Sequence, residues 1–392
     1  MRILLLAPHP FLQARGTPLA VKAMLEFLSA RGHVVDLLTY HEGDDVLIHN
    51  CSIHRIPRLP GIRNIRPGFS FKKVACDILM FGKCLQMVLR QRYDLIHAVE
   101  EAAFIAAVMR SIAGVPYVYD MDSSMADQLV EAYPRLSFAL GTLRRCEAIA
   151  VRRSLGVLTI CAALEDLALG LSPHQTVGRV EDTTLLSGSP EPPGGDGLLD
   201  DDVLAGPVAM YVGNLAKYQG IDLLLEGFRH TLRAVANARL VIIGGPDETI
   251  AHYRARAAAL DIQPAVHFLG PRPVESLAGL LQEADVLVSP RLKGLNTPMK
   301  IYSYLDSGTA VLATRLRTHT QVLHDGVALL VEPDPEALGK GLADLLSDPA
   351  RRERLASQAK ELVRREFTPE AARRKLDLFY TMMETRVAES KR

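Results

Sequence analysis

Short apolar runs recur along this chain, each followed by an amphipathic stretch, and no other feature limits the fold so strongly. In the first half the runs fall at 3–6, 34–40, 52–56, 95–98, 117–120 and 156–160. Helical periodicities lie between them. After Pro18, for example, Val21, Met24, Leu25 and Leu28 form one stripe, and Gly32 closes it. Strand and helix in alternation predict an α/β architecture with parallel sheets. The pattern breaks at 187–206, where Ser, Gly, Pro and acidic residues leave no apolar face to bury. This stretch reads as a linker. The runs then restart at 208–212, 240–243, 265–269, 286–289, 310–313 and 328–331. Helices are expected from Asp222, over 250–260 and 274–283, from Thr297, and at 335–346, 349–365 and 369–388.

A chain of 392 residues exceeds one ordinary core. The expected plan is two doubly wound domains facing across a cleft, over 1–186 and 207–367, joined by the linker and closed by 368–392. Lysine plus arginine equals aspartate plus glutamate, 45 each, so a global basic footprint for nucleic acid is absent. Five cysteines without a CxxC pair point to a reducing compartment and away from structural zinc or a disulfide framework. Pro8 cuts the first apolar run short, so it reads as a buried strand, not a signal peptide. No run is long enough to cross a bilayer, and a cytoplasmic protein is expected.

The densest chemistry lies between Ser289 and Gly308. Thr297 before Pro298 has the form of a helix start: a hydroxyl to cap free amides, then a ring with φ already set. Three positions on stands Lys300, where a capping box wants Glu or Gln. A cation in a first turn opposes the helix dipole by roughly 0.3–1 kcal/mol, and a bound anion reverses that cost. The stretch therefore reads as a phosphate site at a strand's carboxyl end, where open α/β sheets place ligands. Gly16-Thr17-Pro18, with Arg15 beside it, is a second start of the same form. A diphosphate spanning the expected cleft would meet both. The loop from Tyr211 to Gly220 has glycines at 213 and 220 for close backbone approach, and Lys217 to meet an anion.

Other candidates are sparser. Asp120 and Asp122, two apart after an apolar run, could hold a hard cation with substrate phosphates. His97 ends an expected strand, and Thr318-His319-Thr320-Gln321 offers hydroxyls, an imidazole and an amide. Each feature also has a plain structural reading: a capped helix, a solvated lysine, a satisfied histidine. Between Arg55 and Arg92 nine basic residues face one acid, Asp77, with Ile62, Ile65, Phe69, Phe71, Val74, Ile78, Leu79, Met80 and Phe81 interleaved. That segment reads either as a patch for an anionic membrane surface or as a packed helix with a basic rim.

Several of these segments together resemble family 4 glycosyltransferases, retaining enzymes of the GT-B fold that use nucleotide sugars. They are the strand 2–7 with Gly16-Thr17-Pro18, Tyr211-Val212-Gly213-Asn214-Leu215, Val241-Ile242-Ile243-Gly244-Gly245, Val266-His267-Phe268-Leu269-Gly270, Ala284-Asp285-Val286-Leu287-Val288-Ser289-Pro290, and Pro298-Met299-Lys300-Ile301-Tyr302-Ser303-Tyr304-Leu305-Asp306-Ser307-Gly308. The resemblance covers nearly the whole chain. It implies an acceptor-side Rossmann-like domain, a nucleotide-sugar-binding one, and a final helix that returns to the first. The family often carries a Glu-x7-Glu pair; here its second glutamate falls on Ser303 and its first near Leu295. An Arg and a Lys that usually grip the diphosphate fall on Asn214 and Gln219, and the histidine after the fifth strand falls on Asp122. The resemblance then implies Lys217, Lys293 and Lys300 as phosphate charges, with Tyr302 and Ser303 at the ribose or its phosphate. It implies Gly16, Thr17, Gly213, Asn214 and Thr297 along the donor. Asp122 and His97 fall to the sugar or acceptor hydroxyl.

The implied reaction moves a hexosyl unit from a nucleoside-diphosphate sugar to an acceptor hydroxyl, with retention and without a metal or other cofactor. Lipid-linked, polysaccharide and small-molecule acceptors stay open, and the basic apolar segment favours a lipid-linked one at the inner face of a membrane. Two further readings stay open. One is a catalytically silent nucleotide-sugar binder, motivated by the missing glutamates. The other is a GT-B-like nucleotide-sugar epimerase, whose acid–base groups would come from Asp120, Asp122, His97 and His319.

Overall fold

The computed structural model describes residues 1–11, 16–59, 61–63, 65, 70–186 and 199–390. Arg15, Phe69 and most of the expected linker lie outside the described residues. The chain divides into two compact units, Met1–Glu181 with Arg373–Arg392, and Asp182–Ala372.

Seven strands form the first unit's sheet: β1 Arg2–Ala7, β2 Val34–Thr39, β3 Cys51–Arg55, β4 Leu95–Val99, β5 Tyr117–Met121, β6 Gly156–Thr159 and β7 Val177–Arg179. They run parallel in the order β3-β2-β1-β4-β5-β6-β7. Successive residues of β1 feed opposite layers. Ile3, Leu5 and Ala7 pack in the layer that holds Phe379, Tyr380 and Met383 of the closing helix Pro369–Ser390. Leu4 and Leu6 pack with Cys76, Met80 and Cys84 of the helix Phe71–Arg90. Both faces are dry, which is why the strand is apolar from Ile3 to Ala7.

The second unit repeats the plan with β8 Val208–Val212, β9 Arg239–Ile243, β10 Val266–Gly270, β11 Val286–Ser289, β12 Ala310–Thr314 and β13 Leu329–Val331. Its order is β10-β9-β8-β11-β12-β13, again all parallel. Ala209 and Tyr211 enter one layer, Val208 and Met210 the other. Both sheets are doubly wound, as expected. The strand order reverses between β1 and β4, and between β8 and β11. Those are the switch points where such sheets bind ligands at the strands' carboxyl ends.

The basic segment 55–92 divides between core and surface. Ser70 Oγ caps the helix Phe71–Arg90 by accepting from the Lys73 amide at 3.2 Å. Ile65 and Met80 are buried in the core, while Phe71, Val74 and Ile78 stand exposed. The expected apolar patch thus shrinks to those three. No described helix is long and apolar enough to cross a membrane.

Candidate functional site

At the second switch point, two tyrosines shape the end of β8. The Val212 amide donates to Tyr304 Oη at 2.8 Å, and Tyr211 Oη donates to the Asn214 carbonyl at 2.6 Å. Gly213 has φ +151°, and a Cβ there would stand 2.8 Å from Lys300 Nζ. Gly244, at φ +110°, packs so close that a Cβ would lie 2.2 Å from the Gly213 carbonyl oxygen. Backbone approach excludes a side chain at Gly244; at Gly213 the positive φ and the Lys300 and Tyr211 side chains disfavour one.

Lys300 opens the short helix Lys300–Asp306. Its Nζ lies 3.8 Å from the centroid of the Tyr211 ring, is buried, and has no hydrogen-bond partner. Burial, reinforced by the charge of Arg291, pushes its pKa well below the usual lysine value. The ring can return about 2 kcal/mol to a desolvated ammonium. Desolvation costs several kcal/mol, so the uncompensated part dominates. A cavity of about 310 Å³ borders the same loop, walled by Gly213, Asn214, Gly244, Pro271, Arg272 and Leu277.

The segment after β12 fastens the Lys300 loop from behind. Thr314 Oγ1 donates to the Arg291 carbonyl at 2.6 Å, Thr318 Oγ1 to Asn296 at 2.6 Å, and Gln321 Nε2 to Leu295 at 2.8 Å. His319 Nδ1 donates to the Thr314 carbonyl at 2.8 Å, and its Nε2 accepts from Ser289 Oγ at 2.9 Å. Burial pushes this imidazole down to about 4, which suits one donor and one acceptor nitrogen. Thr318, His319 and Gln321 therefore bond protein groups, while Thr320 stands exposed.

Two expected donor contacts and one expected cap need correction. Thr297 caps no helix: its Oγ1 is buried without a hydrogen-bond partner, and the first turn begins at Pro298, whose carbonyl accepts from the Ile301 amide at 2.9 Å. Tyr302 is wholly buried in the apolar core, edge-on to Phe367 at 5.0 Å, so no ribose reaches it. Ser303 Oγ is also buried and accepts from the Leu185 amide at 3.1 Å. Lys217 and Lys293 stand exposed, and Gly213, Asn214 and Lys300 are the expected residues brought together.

In the first unit, Gly16 and Thr17 begin the helix Gly16–Ala30 after β1. His97, on β4, is wholly buried. Its Nε2 meets Asp120 Oδ2 at 2.9 Å and its Nδ1 meets Tyr380 Oη at 2.6 Å. Both ring nitrogens are taken, so His97 does not touch a substrate; its expected catalytic role is corrected to a supporting one. Asp122 lies just past β5, half-buried. Acidic groups crowd this edge. Burial and the charge of Glu101 push Asp77 and Glu100 up to about 7, while Glu101 itself pairs with Lys73. Among the described residues no three His, Cys, Asp or Glu side chains gather as a metal site.

Known proteins share this organisation. Residues 206–348 match the family model described as glycosyl transferases group 1, and residues 15–177 match the glycosyl transferase 4-like domain. The chain belongs to the family 4-like, group 1 glycosyltransferases. A relative of this glycosyltransferase, the phosphatidyl-myo-inositol mannosyltransferase of Mycobacterium tuberculosis, is 24% identical over 93% of each chain. The D-inositol 3-phosphate glycosyltransferase of Corynebacterium diphtheriae is 31% identical, over 44% of this chain and 42% of that protein. Among solved structures, the sucrose-phosphate synthase of Thermosynechococcus elongatus superposes with a TM-score of 0.76 at 21% identity, covering 98% of this chain and 99% of that one. Anabaena HepE, solved with UDP, gives 0.73 at 14% identity over 97% and 100%. The shared fold is GT-B.

Proposed function

We propose that this glycosyltransferase moves a hexosyl unit from a nucleoside-diphosphate sugar to an acceptor hydroxyl with retention. The observation that carries this reading is Lys300 Nζ, buried beside Gly213 with no hydrogen-bond partner. A buried cation without a counter-charge is costly, and a bound diphosphate would supply the missing charge. Gly213 lets backbone amides approach the phosphates, and the adjoining 310 Å³ cavity suits the nucleoside. Structures of HepE with UDP and with UDP-glucose, and the mannosyltransferase relative, support a nucleotide-hexose donor.

The chemistry asks mainly for positive potential on the leaving diphosphate and for orientation. Lys300 would supply the first, with Lys217 and Lys293 at the rim. The departing phosphate oxygen would then accept the acceptor's proton on the face it leaves. Exposed Phe71, Val74 and Ile78 beside Lys72 give the first unit an apolar, basic face for an anionic lipid surface, which favours a lipid-linked acceptor.

Replacing Lys300 with Ala should lower kcat for nucleotide release at least 100-fold, measured over a panel of UDP- and GDP-linked hexoses. Unchanged turnover would remove Lys300 from the site. One observation favours a second reading, a binder without turnover: the position of a family glutamate holds Ser303, whose hydroxyl is spent on Leu185. Nucleotide binding without release across the panel would select it.

A further inference from the structure

The layer between the first sheet and the closing helix is apolar except for one line of polar groups. Leu5, Leu95, Val99, Val118, Phe379 and Met383 build it. Through it runs Tyr380, then His97, then Asp120. Tyr380 Oη and His97 Nδ1 are 2.6 Å apart, and His97 Nε2 and Asp120 Oδ2 are 2.9 Å apart. Tyr380 and His97 are wholly buried, whereas the Asp120 side chain keeps 14% exposure. The line is dry at one end and open at the other.

The bonds define their own direction. With a neutral ring, Tyr380 donates its hydroxyl proton to Nδ1, and Nε2–H donates to the carboxylate. The tautomer is thereby selected, and Asp120 is held in one rotamer with Oδ1 unclaimed by any described side chain. Asp120 stands at the carboxyl end of β5, near the switch point of its sheet. A histidine wanted only for packing would not need a charged partner at a ligand-bearing edge.

The surroundings limit what Asp120 can meet. Glu100, Glu101 and Asp122 crowd the same strand ends, and the one buried lysine nearby, Lys73, is spent on Glu101. On the other face of β5, the wholly buried Tyr119 hydroxyl has no hydrogen-bond partner and lies in the field of Glu100, Glu101, Glu147 and Asp122. Such an edge repels phosphate and accepts hydroxyl donors.

We propose that Asp120 binds the hydroxyl of an uncharged, polyhydroxylated acceptor, and that His97 and Tyr380 are the positioning residues that aim it. This rests on the glycosyl-transfer reading above. Asp120 accepts a hydrogen bond from the acceptor hydroxyl and orients it; it keeps no proton at the end of the reaction.

The test uses the full chain, UDP- and GDP-linked hexoses as donors, and two acceptor sets: myo-inositol, glucose and mannose against inositol phosphate and glucose 6-phosphate. Transfer to the neutral set at least tenfold above the phosphorylated set is expected. Asp120→Asn should lower kcat 100-fold or more with the thermal shift by UDP unchanged. Tyr380→Phe should lower kcat 5- to 20-fold with donor KM unchanged. His97→Gln, which keeps an N–H for Asp120, should retain more activity than His97→Ala. A merely structural line would instead lower Tm and leave kcat per folded molecule intact, and that result overturns the proposal. So does a preference for phosphorylated acceptors, or transfer to none of the neutral ones. If the parent neither binds UDP nor releases nucleotide, it is the glycosyl-transfer reading that fails.

Discussion

The two sheets have the same winding and opposite chemistry at their carboxyl edges. Around β8 and β11 the chain places Lys300, Arg291, Lys217, Lys293 and Arg272, and leaves one ammonium nitrogen without a hydrogen-bond partner. Around β4 and β5 it places Glu100, Glu101, Asp120 and Asp122, and spends its one buried lysine on an internal pair. The fold supplies two equivalent ledges, and the side chains set on them decide what each can hold. On the readings proposed above, one edge would be completed by an anion, and the other would exclude anions and aim a carboxylate.

Titration can break that contrast, and a large loss on acidification is expected in the second unit's stability. His319 is held near 4 in the folded chain, below its ordinary value of 6.5. Its stabilising contribution is present above pH 6.5 and is lost as pH falls from 6.5 toward 4, because the unfolded chain takes up the proton first. The loss should reach about 3 kcal/mol. Urea denaturation at pH 7 and pH 4.5 should show this slope in the parent and not in His319→Asn.

Next in size is the donor site. Lys300 has a depressed pKa in the unliganded protein, and a diphosphate would restore its proton. UDP affinity should therefore weaken as pH rises from 7 to 9, by up to about tenfold per unit. Calorimetry should find proton uptake on binding, and both effects should vanish in Lys300→Met. A flat profile in the parent would mean the amine does not meet the phosphates. The same variant should gain stability, roughly 2 kcal/mol, because an apolar group replaces a buried amine that has no hydrogen-bond partner among the described residues. Lost turnover with raised Tm is the signature of a residue kept for binding.

On the acidic edge the effect has the opposite sign. Asp77, hydrogen-bonded by Tyr40 Oη at 2.5 Å, is raised to about 7. A raised carboxyl pKa costs stability as pH climbs from about 4 to 7, since the unfolded chain releases its proton earlier. Asp77→Asn should remove that slope, which by the same arithmetic amounts to about 4 kcal/mol between pH 4 and 7. Equal pH dependence of parent and variant would show that Asp77 ionises normally.

Much of this was legible in the chain. The strands buried on both faces announced themselves as mainly apolar runs, interrupted by single polar residues such as Asp36, His97 and Asp120. β7, Val177–Arg179, did not: it is a short edge strand, half-buried at best, with no apolar run to read. The turn chemistry at Thr297 and Pro298 misled, because a local cap signal cannot report that the hydroxyl is buried where no amide waits. Ser303 and Tyr302 were placed correctly along the chain and wrongly in space. Which way a residue on a short helix faces depends on the sheet beneath it, not on its neighbours in sequence.

The amino-acid sequence alone determined two parallel doubly wound sheets, since consecutive apolar residues between amphipathic helices can bury themselves in few other ways. It also marked Lys300 as out of place in a helix start. Only the tertiary structure decided what Lys300 faces, and only it joined Tyr380 to His97 across 283 positions. Burial and charge at a site come from residues far apart in the chain, so the fold must close before either exists.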